Sequence, residues 1–183
     1  MTPVENLASI AEHGILSHVH AAAVRHASVA LESVQDNRAA KGVPGDRPLH
    51  EYVNLYFDAR NAMMFMRRSS DLIVVRVRPD VLDLANVVVS DGNAANGPTR
   101  FFPSPSGLEH LDADRVYAEW WTHSDYWEQQ ERKRQRQAEV LVPDVVTPDH
   151  ILGCYTWKDA EATRCRSLVA DWTVEVKPHV YFD

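Results

Sequence analysis

Cysteine is scarce: the chain contains two, Cys154 and Cys165, in 183 residues. That number supports neither a disulfide framework nor a four-thiolate zinc site, and it fits reduced, mostly buried thiols. Glycine is sparse too, at 7 residues. No G-x-x-x-x-G-K-[ST], G-x-G-x-x-G or G-x-S-x-G is present, so neither a P-loop, a Rossmann fingerprint nor a nucleophile elbow is supported. No apolar run approaches the roughly 20 residues of a spanning helix. The opening MTPVENLASI lacks the basic-then-apolar order of a secretory signal, and the chain is expected in the cytoplasm, away from membranes. Basic residues are in deficit, 19 Lys+Arg against 26 Asp+Glu, for a formal charge of −7. Such a balance argues against bulk electrostatic attachment to nucleic acid and leaves room for a local basic groove.

What is present is an ordinary globular composition, 45% hydrophobic and 25% charged. The length predicts one domain, residues 1–183, able to bury roughly 70% of its unfolded surface without a disulfide or structural metal. Thr2-Pro3-Val4-Glu5 reads as a capping box ahead of a helix carrying Val4, Leu7, Ile10 and Ala11, with Gly14 ending it in the left-handed conformation. A second helix is expected over 28–40, on Val29, Leu31 and Val34. KGVPGDRP (41–48) reads as a loop, YVNLYF (52–57) as a strand and 61–66 as a short helix or turn. LIVVRV (72–77) is the clearest buried strand, followed by a turn at 78–80 and a short strand at 87–89. Residues 91–107, rich in Gly, Asn, Pro and Ser, read as a long functional loop. Helices are expected at 112–121, 125–137 and 159–170, and strands at 138–142, 151–157, 173–176 and 179–182. The whole reads as α+β.

Few local features carry chemistry. Glu139 interrupts the apolar strand Ala138–Val142 directly after a basic helix, so its carboxylate faces either solvent or a cleft, because burying it unpaired is costly. On pattern alone the exposed position is the commoner outcome. Arg132, Lys133, Arg134 and Arg136 form a basic run that is either a solvated face balanced by Glu128 and Glu131 or the phosphate-contacting edge of a groove. Arg100, Phe101 and Phe102 either grip an unpaired base and its phosphate or anchor their loop to the core. His18, His20 and His26 lack companions at metal-ligand spacing, and a metal site is rejected.

Taken in order, several stretches resemble the DarT family of DNA ADP-ribosyltransferases. They are TPVENLASIAEHG (2–14), VQDNR (34–38), HEYVNLYF (50–57), RNAMM (60–64), SDGNAA (90–95), RQAEVLV (136–142) and the ending at 177–182. The resemblance implies an ADP-ribosyltransferase fold, a split central mixed sheet with flanking helices and an NAD cleft between the halves. It implies transfer of ADP-ribose from NAD to a base in single-stranded DNA, thymidine favoured, without a metal. The chain would be the toxin of a toxin–antitoxin pair whose partner is a DarG-like macrodomain antitoxin. Glu139 and Arg38 match the catalytic pair. Thr2, Ser9 and Ser17 fall at NAD-contacting positions, and Tyr56, Arg60 and Met63 fall in the cleft-wall segment. The basic run and Arg100, Phe101 and Phe102 would line the DNA groove. Relatives carry a strand ending in an aromatic-His pair before the position of Thr2, and this chain is expected to lack it. The alternatives are a non-catalytic module binding single-stranded DNA or the antitoxin, and a transferase acting on guanosine, RNA or protein.

Overall fold

The structure, a computed structural model, describes residues 1–28, 32–39 (backbone alone for 32–35), 41–44, 47–68 and 71–182. In chain order it contains β1 (Thr2–Pro3), α1 (Leu7–His13), β2 (Ile15–Leu16), α2 (His18–Ala21), α3 (Glu32–Ala39), β3 (Gly42–Val43), β4 (Arg47–Pro48), β5 (Tyr52–Tyr56), α4 (Ala62–Met66) and β6 (Leu72–Val77). It continues with β7 (Val88–Ser90), β8 (Phe101–Pro103), α5 (Ala113–Val116), α6 (Tyr126–Gln135), β9 (Glu139–Pro143), β10 (Val145–Val146), β11 (Ile151–Thr156), α7 (Asp159–Leu168) and β12 (Thr173–Val176). Two four-stranded sheets, ordered β1-β6-β11-β12 and β5-β9-β7-β8, carry the fold. The first is mixed, with β11 parallel to β12 and antiparallel to β6. The second is antiparallel throughout. The split α+β architecture expected from the sequence is the one observed.

The strand that positions the site is β9. It lies inside its sheet, and Glu139 to Val142 are all buried, which is why its sequence shows no polar alternation. Its two faces still differ. Val140 and Val142 pack with Val53, Val87 and Val89, whereas Leu141 packs with Leu49, Tyr52 and Ala94. Period-two geometry puts Glu139 on the face of Leu141, toward Ala94.

Several local expectations change. Thr2 does not cap a helix: it pairs with Ile73 in the first sheet, and its hydroxyl accepts a hydrogen bond from Asn6 Nδ2 at 2.9 Å. Gly14 does end α1 at φ +80°, where an added Cβ would lie 2.2 Å from the Val146 carbonyl oxygen. The helix expected over 28–40 runs from Glu32 to Ala39; Val29 and Leu31, part of its expected stripe, lie outside the described residues, as do Gly45 and Asp46 of the KGVPGDRP segment. Residues 91–107 are not one bare loop, because Phe101–Pro103 pairs with β7 in register Ser90 to Phe101 and Val89 to Phe102. Of the helix expected over 112–121 only Ala113–Val116 forms, and Trp120 and Trp121 turn instead toward Phe182. The closing strand expected at 179–182 is replaced by a 3-10 turn over Pro178–Val180, where Pro178 lacks the N–H a ladder needs. Among the described residues no helix is long and apolar enough to cross a membrane.

Candidate active site

Glu139 opens β9, with Tyr56 of β5 on one side and Ser90 of β7 on the other. Its residue is 0% exposed. A carboxylate so buried needs compensation, and three donors supply it. Arg38 Nη1 and Nη2 reach Oε2 at 3.3 and 3.2 Å, and the Ala94 backbone N–H donates to Oε1 at 3.0 Å. The Ser90 hydroxyl accepts from the Glu139 N–H and donates to the Gly92 carbonyl, so strand and loop are tied at the same point. Burial works against the Arg38 charge, but the facing carboxylate outweighs it and holds the guanidinium above its ordinary range. Burial first, then Glu139, push the Tyr56 phenol up against the opposing effect of Arg38, so it remains a neutral donor; its hydroxyl points to Met63 Sδ at 3.8 Å.

A cavity of about 540 Å³ opens beside this pair, within the range of small-molecule and cofactor sites. It is bounded by Thr2 of the first sheet, by Asn54 and Tyr56 of the second, by Met63 on α4 and by Gln130 and Lys133 on α6. Arg38 lines it, and the Glu139 carboxylate lies behind that guanidinium. One wall is a clamp: Asn6 Nδ2 donates to the Ala27 carbonyl at 2.8 Å while Asn6 Oδ1 accepts from the Ala27 N–H at 2.9 Å. The clamp holds the segment carrying His26 and Ser28 against the cavity. Another wall is fixed by Arg134, whose guanidinium reaches Asp91 Oδ1 at 2.7 Å and Thr99 Oγ1 at 3.2 Å. It passes so close over Gly92 that an added Cβ would lie 2.4 Å from Arg134 Nη1. Asp91 also accepts from the Arg100 backbone and side chain. Burial alone would raise its pKa; the two arginines overcome this and hold it low.

The structure thus gathers Thr2, Arg38, Tyr56, Met63, Lys133 and Arg134 at one cavity. Other expected residues lie elsewhere. Ser9 is half-buried on α1, and Ser17 is buried as the cap of α2, bonded to His20. Arg60 sits over the Phe182 ring at 4.6 Å and donates to the His179 carbonyl. Arg136 is buried in an ion pair with Asp58 and bonds the Val116 and Ala118 carbonyls. Arg132 pairs with Glu128. Arg100 is exposed above Phe102, while Phe102 stacks on His110 and Phe101 packs on the second sheet. Asn6, Asn54, Gln130 and the Ala94 N–H carried no individual signal, although SDGNAA (90–95) was among the family-like stretches. No group of three or more His, Cys, Asp or Glu side chains is placed to hold a metal among the described residues.

A buried carboxylate gripped by a guanidinium at the head of a strand, beside a cleft walled by both sheets, is a preorganised pair of charges facing a ligand-sized cavity. The chain belongs to the DarT family, "ssDNA thymidine ADP-ribosyltransferase, DarT", which matches residues 1–182. It is 28% identical over 193 residues to a DNA ADP-ribosyl transferase–DNA ADP-ribosyl glycohydrolase fusion protein of Thermosipho africanus, covering 100% of this chain and 48% of that protein. The solved structure of Thermosipho africanus DarTG in complex with ADP-ribose superposes with a TM-score of 0.85 at 25% identity, over 99% of this chain and 50% of that one. Thermus sp. 2.9 DarT in complex with ADP-ribosylated ssDNA also superposes at 0.85, with 20% identity, over 99% and 93% of the two chains; that likeness establishes the fold. The chain spans about half the length of the Thermosipho protein.

Proposed function

We propose that this chain transfers ADP-ribose from NAD to thymidine in single-stranded DNA. The observation that carries the reading is the buried Arg38–Glu139 pair beside a cavity of about 540 Å³ in a chain of this family. NAD is the co-substrate. Its diphosphate competes with Glu139 for the Arg38 guanidinium, and drawing Arg38 into the cavity uncovers the carboxylate. Glu139 then faces the nicotinamide ribose, holds a ribose hydroxyl and stabilises positive charge that develops as the bond from ribose C1′ to nicotinamide nitrogen breaks. The new bond forms from C1′ to a thymine ring nitrogen, and the proton leaving that nitrogen passes to Glu139. The base must leave its stack to enter the cleft, which costs less in a single strand than in a duplex.

Thr2, Tyr56 and Met63 form the wall against which NAD is held. Lys133 and Arg134 line the path of the DNA strand where it enters the cavity. The biological role we assign is that of a toxin whose modification is removed by a macrodomain glycohydrolase antitoxin, as the fused glycohydrolase of the Thermosipho protein suggests. The setting is cytoplasmic, in keeping with a DNA substrate and two unpaired buried thiols. Nicotinamide release measured with and without oligothymidylate tests the reading. Release that rises with the oligonucleotide and falls in Glu139→Gln supports it; release indifferent to both contradicts it.

A further inference from the structure

Helix α6 carries one stripe of side chains from solvent into the cavity. Gln130 and Lys133 line the cavity, and Tyr126 precedes Gln130 by four residues, which places it on the same helix face. Tyr126 and Trp127 are 62% and 77% exposed. Their rings meet edge to face with centroids 5.2 Å apart. The helix end beneath them is fixed, because the Asp125 side chain accepts from the Glu128 N–H and Glu128 bridges Arg115 and Arg132. Neither ring belongs to an apolar cluster of the core. Packing therefore gives no reason for two large aromatics here, and rigid rings held with open faces are suited to a flat partner. At 1.5 Å rise per residue, Tyr126 stands about 10 Å along the helix from Lys133.

We infer that Tyr126 and Trp127 form a stacking shelf for an unpaired base of the DNA strand whose target nucleotide enters the cavity, an inference that rests on the single-stranded-DNA reading above. Continuity of the stripe with the cavity identifies the occupant. A strand leaving the cleft along α6 meets Lys133, then Gln130, then the rings. Every base presents a π face, so the shelf holds the strand without reading its sequence. It also supplies affinity that a chain of net charge −7 does not obtain from bulk attraction.

Tryptophan fluorescence during titration with oligothymidylate tests this, comparing the wild type with Tyr126→Ala/Trp127→Ala. Both side chains are surface residues, so the variant keeps its thermal midpoint and its calorimetric NAD affinity. Stacking quenches the wild-type emission; the double variant loses the quench attributable to Trp127 and binds about 10- to 100-fold more weakly. The slope of log affinity against log salt stays the same, because stacking releases no counterions. Unchanged oligonucleotide affinity in the double variant overturns the shelf. A wild type that binds with quenching but transfers nothing removes the transferase reading and leaves the shelf standing. Transfer with an unaltered KM for the oligonucleotide in the double variant removes the shelf and leaves the transferase.

Discussion

The two sheets differ in what they bury. Around the first, Ile73, Cys154, Cys165 and Val174 pack with Val4, Leu7 and Ala162, and no buried charged side chain among the described residues joins them. There the Cys154 thiol, pushed up to about 12 chiefly by burial, behaves as a small hydrophobe. Around the second, the five buried charged side chains among the described residues are Arg38, Asp91, Arg134, Arg136 and Glu139. Each has an ion-pair partner. Buried pairs are weak contributors to stability against apolar replacements but costly to break singly. Their concentration around the second sheet separates a half of the molecule held by paired charges from a half held by apolar packing.

Substitutions on the two sheets sharpen that contrast. The largest effect belongs to Glu139→Gln. It keeps the shape and the acceptor for the Ala94 N–H but removes the charge, so the single-turnover transfer rate falls roughly 10³-fold with the fold retained. A Gln variant as fast as the wild type would erase the distinction between the sheets. Arg38→Ala comes next: it leaves Glu139 buried without its cation and costs about 3–5 kcal/mol in urea denaturation, with transfer slowed as well, by less than in Glu139→Gln. Ile73→Ala, in the first sheet, costs a comparable ~2–5 kcal/mol through its cavity, yet the rate per folded molecule stays at the wild-type value.

Acid gives a smaller, graded effect on the charged side. Arg100 and Arg134 hold Asp91 below its ordinary value of 3.8 against the contrary pull of burial. A carboxyl depressed on folding contributes its stability above the unfolded value, and that contribution is lost as pH falls through the lower folded value. Asp91→Asn is thus destabilising by about 1.5–3 kcal/mol near neutrality. The gap from wild type, followed by urea titration, narrows from about pH 3.8 downward and closes once pH has fallen through the lower folded value; a gap constant over that whole range would assign the loss to packing instead. The smallest effect is that of Lys133→Ala, which lowers the salt dependence of oligonucleotide binding by about 0.7 in log–log slope.

How much of this was legible in the sequence depended on range. Glu139 stood out because a carboxylate inside Ala138–Val142 breaks an apolar strand, and Gly14 because a helix end requires a positive φ. The cap assigned to Thr2 failed because its partner is Ile73, far along the chain. Strand β8 was hidden for the same reason: Phe101–Pro103 is held by β7, while its own Pro and Ser neighbours signal loop. The Glu131–Arg134 spacing was visible as a local pair, but Asp91, which makes Arg134 a lock on the cavity wall, lies 43 residues away. Residue-type patterns reported which groups were present, and long-range pairing decided which of them met.

Mass spectrometry of a mixed-sequence single-stranded oligonucleotide after incubation with this protein and NAD reads reaction, co-substrate and target base in one experiment. One ADP-ribose is expected per modified site, located by fragmentation on thymidine and reduced roughly 10³-fold in initial rate when Glu139→Gln replaces the wild type. An unmodified oligonucleotide, or a group located on another base, would contradict the proposed transfer.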